Sequence, residues 1–135
     1  MDDDWGSVEN TITLDSDQFS SEVTAGLGDF SHFDVVFCFD RVDKSKVHLG
    51  ARHPRNREDW PLVGIFAQRA KGRPNRLGAT TCEIVSADGL TLTVRGLDAI
   101  DGTPVLDIKP HVREFQARGE VRQPEWMTQL MKGYW

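Results

Sequence analysis

The sequence predicts a mainly β domain, a barrel-like sheet with a few short helices. Three observations carry this. Apolar runs are short and bounded by Gly, Pro, Asn and Asp rather than long and helically spaced. Two β-rich arms flank Asp88-Gly89, a strong hairpin signal. Helical patterns are confined to two brief stretches, and many short strands with tight turns fold as barrels or sandwiches.

Taken in order, residues 1–4 are an acidic lead-in expected to be mobile. Thr11-Ile12-Thr13-Leu14 reads as a short strand. Ser20 or Ser21 is placed to cap a brief helix running to Leu27, with Gly28 as its stop. Residues 33–39, rich in Val and Phe, form a near-continuous apolar run expected as a central strand. Residues 41–61 turn charged and Pro-bearing, an excursion over the surface of a length that usually serves function. Residues 63–68 return to strand. The arms 80–86 and 90–97 join at Ala87-Asp88-Gly89; Leu90, Leu92 and Val94 share one face, with Thr91, Thr93 and Arg95 opposite. Residues 105–108 are a strand ended by Pro110. Pro124 suits the first position of a helix through Trp126, Met127, Leu130 and Met131, whose apolar face is read as core or dimer contact.

At 135 residues the chain is expected to form one domain, 1–135, with a modest core. No apolar run approaches the ~18–20 residues of a membrane span, and no signal-peptide pattern opens the chain. Cys38 and Cys82 lie in strand-like segments without C-x-x-C spacing, which reads as reduced core thiols in a cytoplasmic protein. The four His do not cluster with other ligands, so no metal is expected. The net charge of −5 is unevenly spread: from Arg52 to Arg76 there are seven Lys/Arg and two acids. Such a patch beside Pro, Asn and Trp60 suits phosphates and stacked bases, although a solvated, salt-bridged loop explains it as well.

Two stretches are denser in fixed backbone and polar groups than ordinary turns require. Gly64-Ile65-Phe66-Ala67-Gln68-Arg69 leads into Arg73-Pro74-Asn75-Arg76-Leu77-Gly78. Leu97-Asp98-Ala99-Ile100-Asp101-Gly102-Thr103-Pro104-Val105-Leu106-Asp107-Ile108-Lys109-Pro110 follows. Read from composition alone, each is an elaborate turn or a site on a rigid scaffold. Their order, together with Phe30-Ser31-His32 ahead of the first long apolar run, resembles the tRNA-methyltransferase O family, also called TsaA-like. The resemblance extends roughly from Trp5 to Tyr134. It implies a small antiparallel barrel that pairs into a homodimer, an S-adenosylmethionine cofactor, and methylation of N6 of threonylcarbamoyladenosine beside the anticodon of tRNA. A barrel of the same family that binds the cofactor without acting on tRNA is the alternative.

No G-x-G-x-x-G follows a first strand, which excludes a doubly wound methyltransferase and leaves loops to hold the cofactor. By motif matching, the resemblance places Ser31, His32, Arg69, Gly78, Ala79, Asp101, Gly102, Thr103 and Pro104 around it. Gly102 is suited to close backbone approach, with Thr103 and Pro104 stiffening the turn. Arg69 offers a fork to the methionine carboxylate or to a tRNA phosphate; its plainer reading is a pair with Asp101 or Asp107. Arg52, Arg55, Arg73, Asn75 and Arg76 are the RNA candidates, though Asn75 also suits simple turn closure. Asp101, Asp98 and His32 are the candidates to help a poorly nucleophilic nitrogen, and alignment without a base is equally credible. His32 also reads as a satisfied core histidine, and Lys109 as structural.

The chain departs from the family pattern in places. Gln68 stands where Thr is usual, and Arg76 replaces the second Pro of R-P-N-P. Members usually begin with an additional strand and loop, which contribute to the pocket; here that strand is expected to be missing or shortened. Longer members carry a further C-terminal domain. Tyr134 and Trp135 are read either as a cover for a partner's site or as a frayed end.

Overall fold

A computed structural model describes residues 4–135. Met1, Asp2 and Asp3, most of the lead-in expected to be mobile, lie outside the described residues. Among the described residues seven strands and one α-helix are formed: β1 (Glu9–Thr13), β2 (His32–Cys38), β3 (Ala51–Arg52), β4 (Val63–Gly64), β5 (Leu77–Asp88), β6 (Thr91–Arg95), β7 (Val105–Pro110) and α1 (Glu125–Met131). Five strands make an antiparallel sheet in the order β1-β6-β5-β2-β7, and β3 pairs with β4 separately.

The mainly β, antiparallel class is as the sequence predicts, but the barrel is not closed. Among the described residues β1 and β7 each have a single strand neighbour and remain edges. Register shifts at Ile84/Ser86 on β5 and Val36/Phe37 on β2 bend the ladder, which curls the sheet around its core. Alternation then sorts the side chains. Phe33, Val35 and Phe37 of β2, Cys82 of β5, and Leu92 and Val94 of β6 are buried together with Ile12 and Leu97. Each large apolar side chain so buried contributes ~1.5–3 kcal/mol. The β5–β6 hairpin closes through Gly89-Leu90, because Asp88 pairs with Thr91. Ala87 and Asp88 therefore belong to the strand, and the turn lies one residue later than expected.

Other elements differ from expectation for local reasons. The brief helix from Ser20 or Ser21 to Leu27 is instead two single 3₁₀ turns, Ser21–Thr24 and Leu27–Asp29, with no side-chain cap from Ser20 and with Gly28 inside the second turn. So short a helix has too few bonds to offset nucleation, and Thr24 Oγ1 turns aside to donate to the carbonyl of Gly89 at 2.7 Å. Residues 63–68 keep only Val63–Gly64 as strand before a 3₁₀ turn, Ile65–Ala67, that buries Ile65. The excursion 41–61 has structure of its own, namely turns at Lys44–Lys46 and Pro54–Asn56 and strand β3.

Trp60 anchors this excursion. Its ring is buried, Nε1 donates to Gln129 Oε1 of α1 at 3.1 Å, and the Arg57 guanidinium sits 4.0 Å over the ring. Pro124 is the cap of α1 rather than its first residue, and Trp126, Met127, Leu130 and Met131 are half-buried. Cys38 and Cys82 are free thiols, the second fully buried.

Candidate functional site

A cleft of about 280 Å³ opens where the sheet fails to close. One wall is residues 10–14, β1 and the residue after it; the other is Leu97 and residues 99–105, the loop into β7. Ile12, Leu14, Leu97, Ala99 and Val105 make it apolar in depth, while Asn10, Thr11, Asp101 and Thr103 supply polar edges. Such a balance of apolar and polar lining suits a small organic ligand, and the volume lies just below the usual ~300–1,000 Å³.

The loop is shaped by its own bonds. Thr103 N–H and Oγ1 both donate to the carbonyl of Ile100, at 3.2 and 2.6 Å, and Pro104 O accepts from Cys38 N–H at 3.0 Å. Gly102 has φ +85°, and a Cβ there would stand 2.9 Å from Nη2 of Arg41. The close approach expected at Gly102 is thus made by a guanidinium. Asp101 is exposed and makes no hydrogen bond or ion pair among the described residues.

The candidate cofactor residues divide. Asp101, Gly102, Thr103 and Pro104 line the cleft. Gly78 and Ala79 lie on β5 opposite Phe37 and Val36, close to Pro104's partner Cys38. Gly78 is explained by packing: a Cβ there would come within 2.7 Å of the Phe37 ring and 2.9 Å of Phe39. Arg69 Nη2 donates to the carbonyl of Ala79 at 2.8 Å, so it pairs with neither Asp101 nor Asp107. Ser31 and His32 stand at the far end of β2, six residues from Cys38 and therefore about 20 Å away. There Ser31 Oγ lies 2.6 Å from His32 Nδ1, and His32 borders a separate, shallower depression with Thr81, Glu83, Arg95 and Trp135.

Of the three candidates to help the nucleophile, only Asp101 lines the cleft. Asp98 is occupied on both carboxylate oxygens, by the hydroxyls of Thr80 and Tyr134. The C-terminus is accordingly held: Tyr134 O accepts from Trp5 N–H at 2.7 Å, and the Trp135 ring meets Tyr134 edge-on at 4.9 Å.

Several RNA candidates also build their own loop. Arg73 Nη1 donates to Gln68 O at 2.5 Å, Arg76 Nη1 to Val42 O at 3.0 Å, and Arg52 Nη2 to Asn56 Oδ1 at 3.2 Å. Asn75 Oδ1 accepts from Leu77 N–H at 3.1 Å, closing a turn. Arg55 is exposed, with φ +53°. The buried Trp60 ring, already covered by Arg57, offers no free face for a base. Gln68 is buried and its amide donates to the carbonyls of Arg52 and Val63 at 3.0 and 3.1 Å, so it braces β3 against β4. Lys109 pairs with Asp107.

Two features escaped the sequence: the β1 wall of the cleft, and the guanidinium of Arg41 that abuts Gly102 beside it. The signal for Arg41 lay in Gly102, whose need for close approach was legible while the approaching group was not. Among the described residues no group of three His, Cys, Asp or Glu is placed to hold a metal. No described helix is long and apolar enough to cross a membrane.

Fold and cleft together define a small, open, antiparallel β domain with a cleft at the seam of its sheet, unlike a doubly wound fold. Residues 5–117 match the tRNA-methyltransferase O N-terminal domain, and the chain belongs to that family. It is 38% identical over 102 residues to a probable S-adenosyl-L-methionine-binding protein of Pyrococcus abyssi, covering 76% of this chain and 53% of that protein. It is 33% identical over 99 residues to a tRNA (adenine(37)-N6)-methyltransferase of Homo sapiens, covering 73% and 22%. The crystal structure of TrmO from Pseudomonas aeruginosa superposes with a TM-score of 0.68 at 30% identity, over 87% of this chain and 48% of that one. The chain thus spans about half the length, or less, of these relatives.

Proposed function

We propose that this chain is an S-adenosylmethionine-dependent methyltransferase acting on tRNA, with N6 of threonylcarbamoyladenosine beside the anticodon as the acceptor. The observation that carries the reading is the loop 98–104: it bears the family's most distinctive motif and forms one wall of a nucleoside-sized cleft. The relatives' names for cofactor and reaction support it. The residues present fit the cofactor chemically. Apolar Ile12, Leu14, Leu97 and Val105 suit a purine, and the Asp101 carboxylate can accept from ribose hydroxyls or face a positive sulfonium. When bound, the cofactor supplies an activated methyl, so the protein's task is position and electrostatics.

In this reading Asp101 is the group beside the acceptor nitrogen, holding its proton or aligning its lone pair. Asp98 positions the loop by joining it to β5 and to the C-terminus. Arg69, tied at one nitrogen to Ala79 and otherwise exposed, takes a tRNA phosphate. The ring of Phe66, 81% exposed three residues earlier, offers a face for an unpaired base. Residues 1–135 act as one unit, in the cytoplasm, as a homodimer.

The experiment is calorimetric titration of S-adenosylmethionine into the purified chain. Micromolar binding at about one per subunit is expected, followed by methyl transfer to threonylcarbamoylated tRNA. Absence of binding would overturn the cofactor reading. Binding without transfer, with tRNA affinity insensitive to salt, would replace the enzyme by a cofactor-binding module, because neutralised phosphates must release counterions.

A further inference from the structure

We infer that Arg41 is the carboxylate-binding residue of this cleft, receiving the amino-acid end of the cofactor. The inference rests on the S-adenosylmethionine reading above and adds to it a residue that motif matching did not assign.

Arg41 follows β2 on a turn closed by Val42 N–H to Phe39 O at 3.2 Å, and Arg76 Nη1 pins the same turn through Val42 O. From that fixed backbone its guanidinium abuts Gly102, which lines the cleft, while Arg41 itself stands just outside the lining. The space a Cβ would take at Gly102 lies 2.9 Å from Nη2 and 4.0 Å from Cζ of Arg41. A side chain at position 102 would therefore displace the guanidinium, and the φ of +85° disfavours one in any case.

The contrast with neighbouring arginines is the second observation. Arg69, Arg73 and Arg76 each donate to a backbone carbonyl. Arg41 makes no hydrogen bond or ion pair among the described residues, so its whole fork is open to a ligand.

Charge is the third. Among the described residues Asp101 is the only ionisable one in the cleft lining. A carboxylate suits the ammonium and sulfonium of the cofactor but repels the carboxylate at its far end. Binding all three groups needs a cation beside that lining, and a guanidinium can take a carboxylate through two parallel bonds. Arg41, in contact with Gly102 at one edge of the cleft, meets that need.

The test compares two ligands that share nucleoside and sulfur: S-adenosylhomocysteine, which carries the amino-acid end, and 5′-methylthioadenosine, which lacks it. Each is titrated calorimetrically into the wild-type chain and into Arg41→Ala, Arg41→Lys and Lys109→Ala. Arg41→Ala is expected to weaken S-adenosylhomocysteine about 10- to 100-fold while leaving 5′-methylthioadenosine within about twofold. Arg41→Lys should recover part of the loss, since it restores charge without the fork. Lys109→Ala, which removes an exposed cation outside the cleft lining, should leave both affinities near wild type. Unchanged S-adenosylhomocysteine affinity in Arg41→Ala, or equal loss of both ligands, overturns the assignment. So does a wild-type chain that binds both ligands equally well. A wild-type chain that binds neither overturns the cofactor reading itself, and the assignment with it.

Discussion

The two ends of β2 carry polar groups of opposite character. At the His32 end the protein satisfies itself. Ser31 meets His32, Arg95 is shared by Glu9 and Glu83 at 2.9 and 2.5 Å, and Asp34 is held by Thr81 and by His111. At the Cys38 end lie a cleft, a loop fixed by its own backbone, and two charged groups, Asp101 and Arg41, with no partner among the described residues. Groups bonded to one another stabilise the fold and have little left to offer a ligand. Groups held in place yet unmet are where binding adds new bonds. Proximity in a motif does not separate these cases, but the hydrogen bonds do.

The comparison can be broken first at the core that supports both ends. Phe37→Ala removes the ring against which Gly78 and Phe39 pack and should cost about 3–5 kcal/mol in urea unfolding. A cost below about 1 kcal/mol would mean the cleft does not rest on that core. Tyr134→Phe comes next: it removes the hydroxyl that the Asp98 carboxylate accepts, and about 1–3 kcal/mol should be lost with cofactor affinity little changed. A large loss of affinity would instead make the C-terminus part of the site. Glu83→Gln should be smallest, under about 1 kcal/mol, because the Arg95 pair is exposed. If that substitution weakened the cofactor, the His32 end would be more than structural.

Acidity sharpens the same picture inside the sheet. Burial, with the nearby carboxylates of Asp34 and Asp98, pushes the Cys82 thiol up to about 12 from an ordinary 9.0. The folded chain therefore keeps a proton that the unfolded chain releases near pH 9. The stability linked to this group is full below pH 9 and is lost as pH climbs toward 12. Denaturation midpoints should fall on that alkaline limb, and Cys82→Ala should flatten it. Iodoacetamide near neutral pH should modify Cys38 well before Cys82.

Much of this was legible in the residues. Alternation at Leu92 and Val94, the apolar run of β2 and the Asp88-Gly89 signal placed the sheet, because strand faces follow from side-chain parity alone. The motif around Asp101-Gly102-Thr103-Pro104 marked the cleft wall. What stayed hidden depends on distant partners. Closure is decided by whether β1 and β7 meet, and no local pattern encodes that. Ser31-His32 and Asp101-Gly102 belong to one family pattern, yet Ser31-His32 sits at one end of a strand about 20 Å long, and the loop holding Gly102 leads to Pro104, which bonds Cys38 at the other. That Arg73, Arg76 and Asn75 each also engage a backbone group of their own region depends on partners that residue type does not reveal.

The central claim is that the ligand enters at the open seam of the sheet. Titrating S-adenosylhomocysteine into the isotopically labelled chain and following backbone amide shifts tests it most directly. Shifts concentrated in residues 10–14 and 97–105, with Arg41 among them, are the predicted result. Shifts confined to Ser31, His32, Glu83 and Arg95 would contradict it and move the site to the other end of β2.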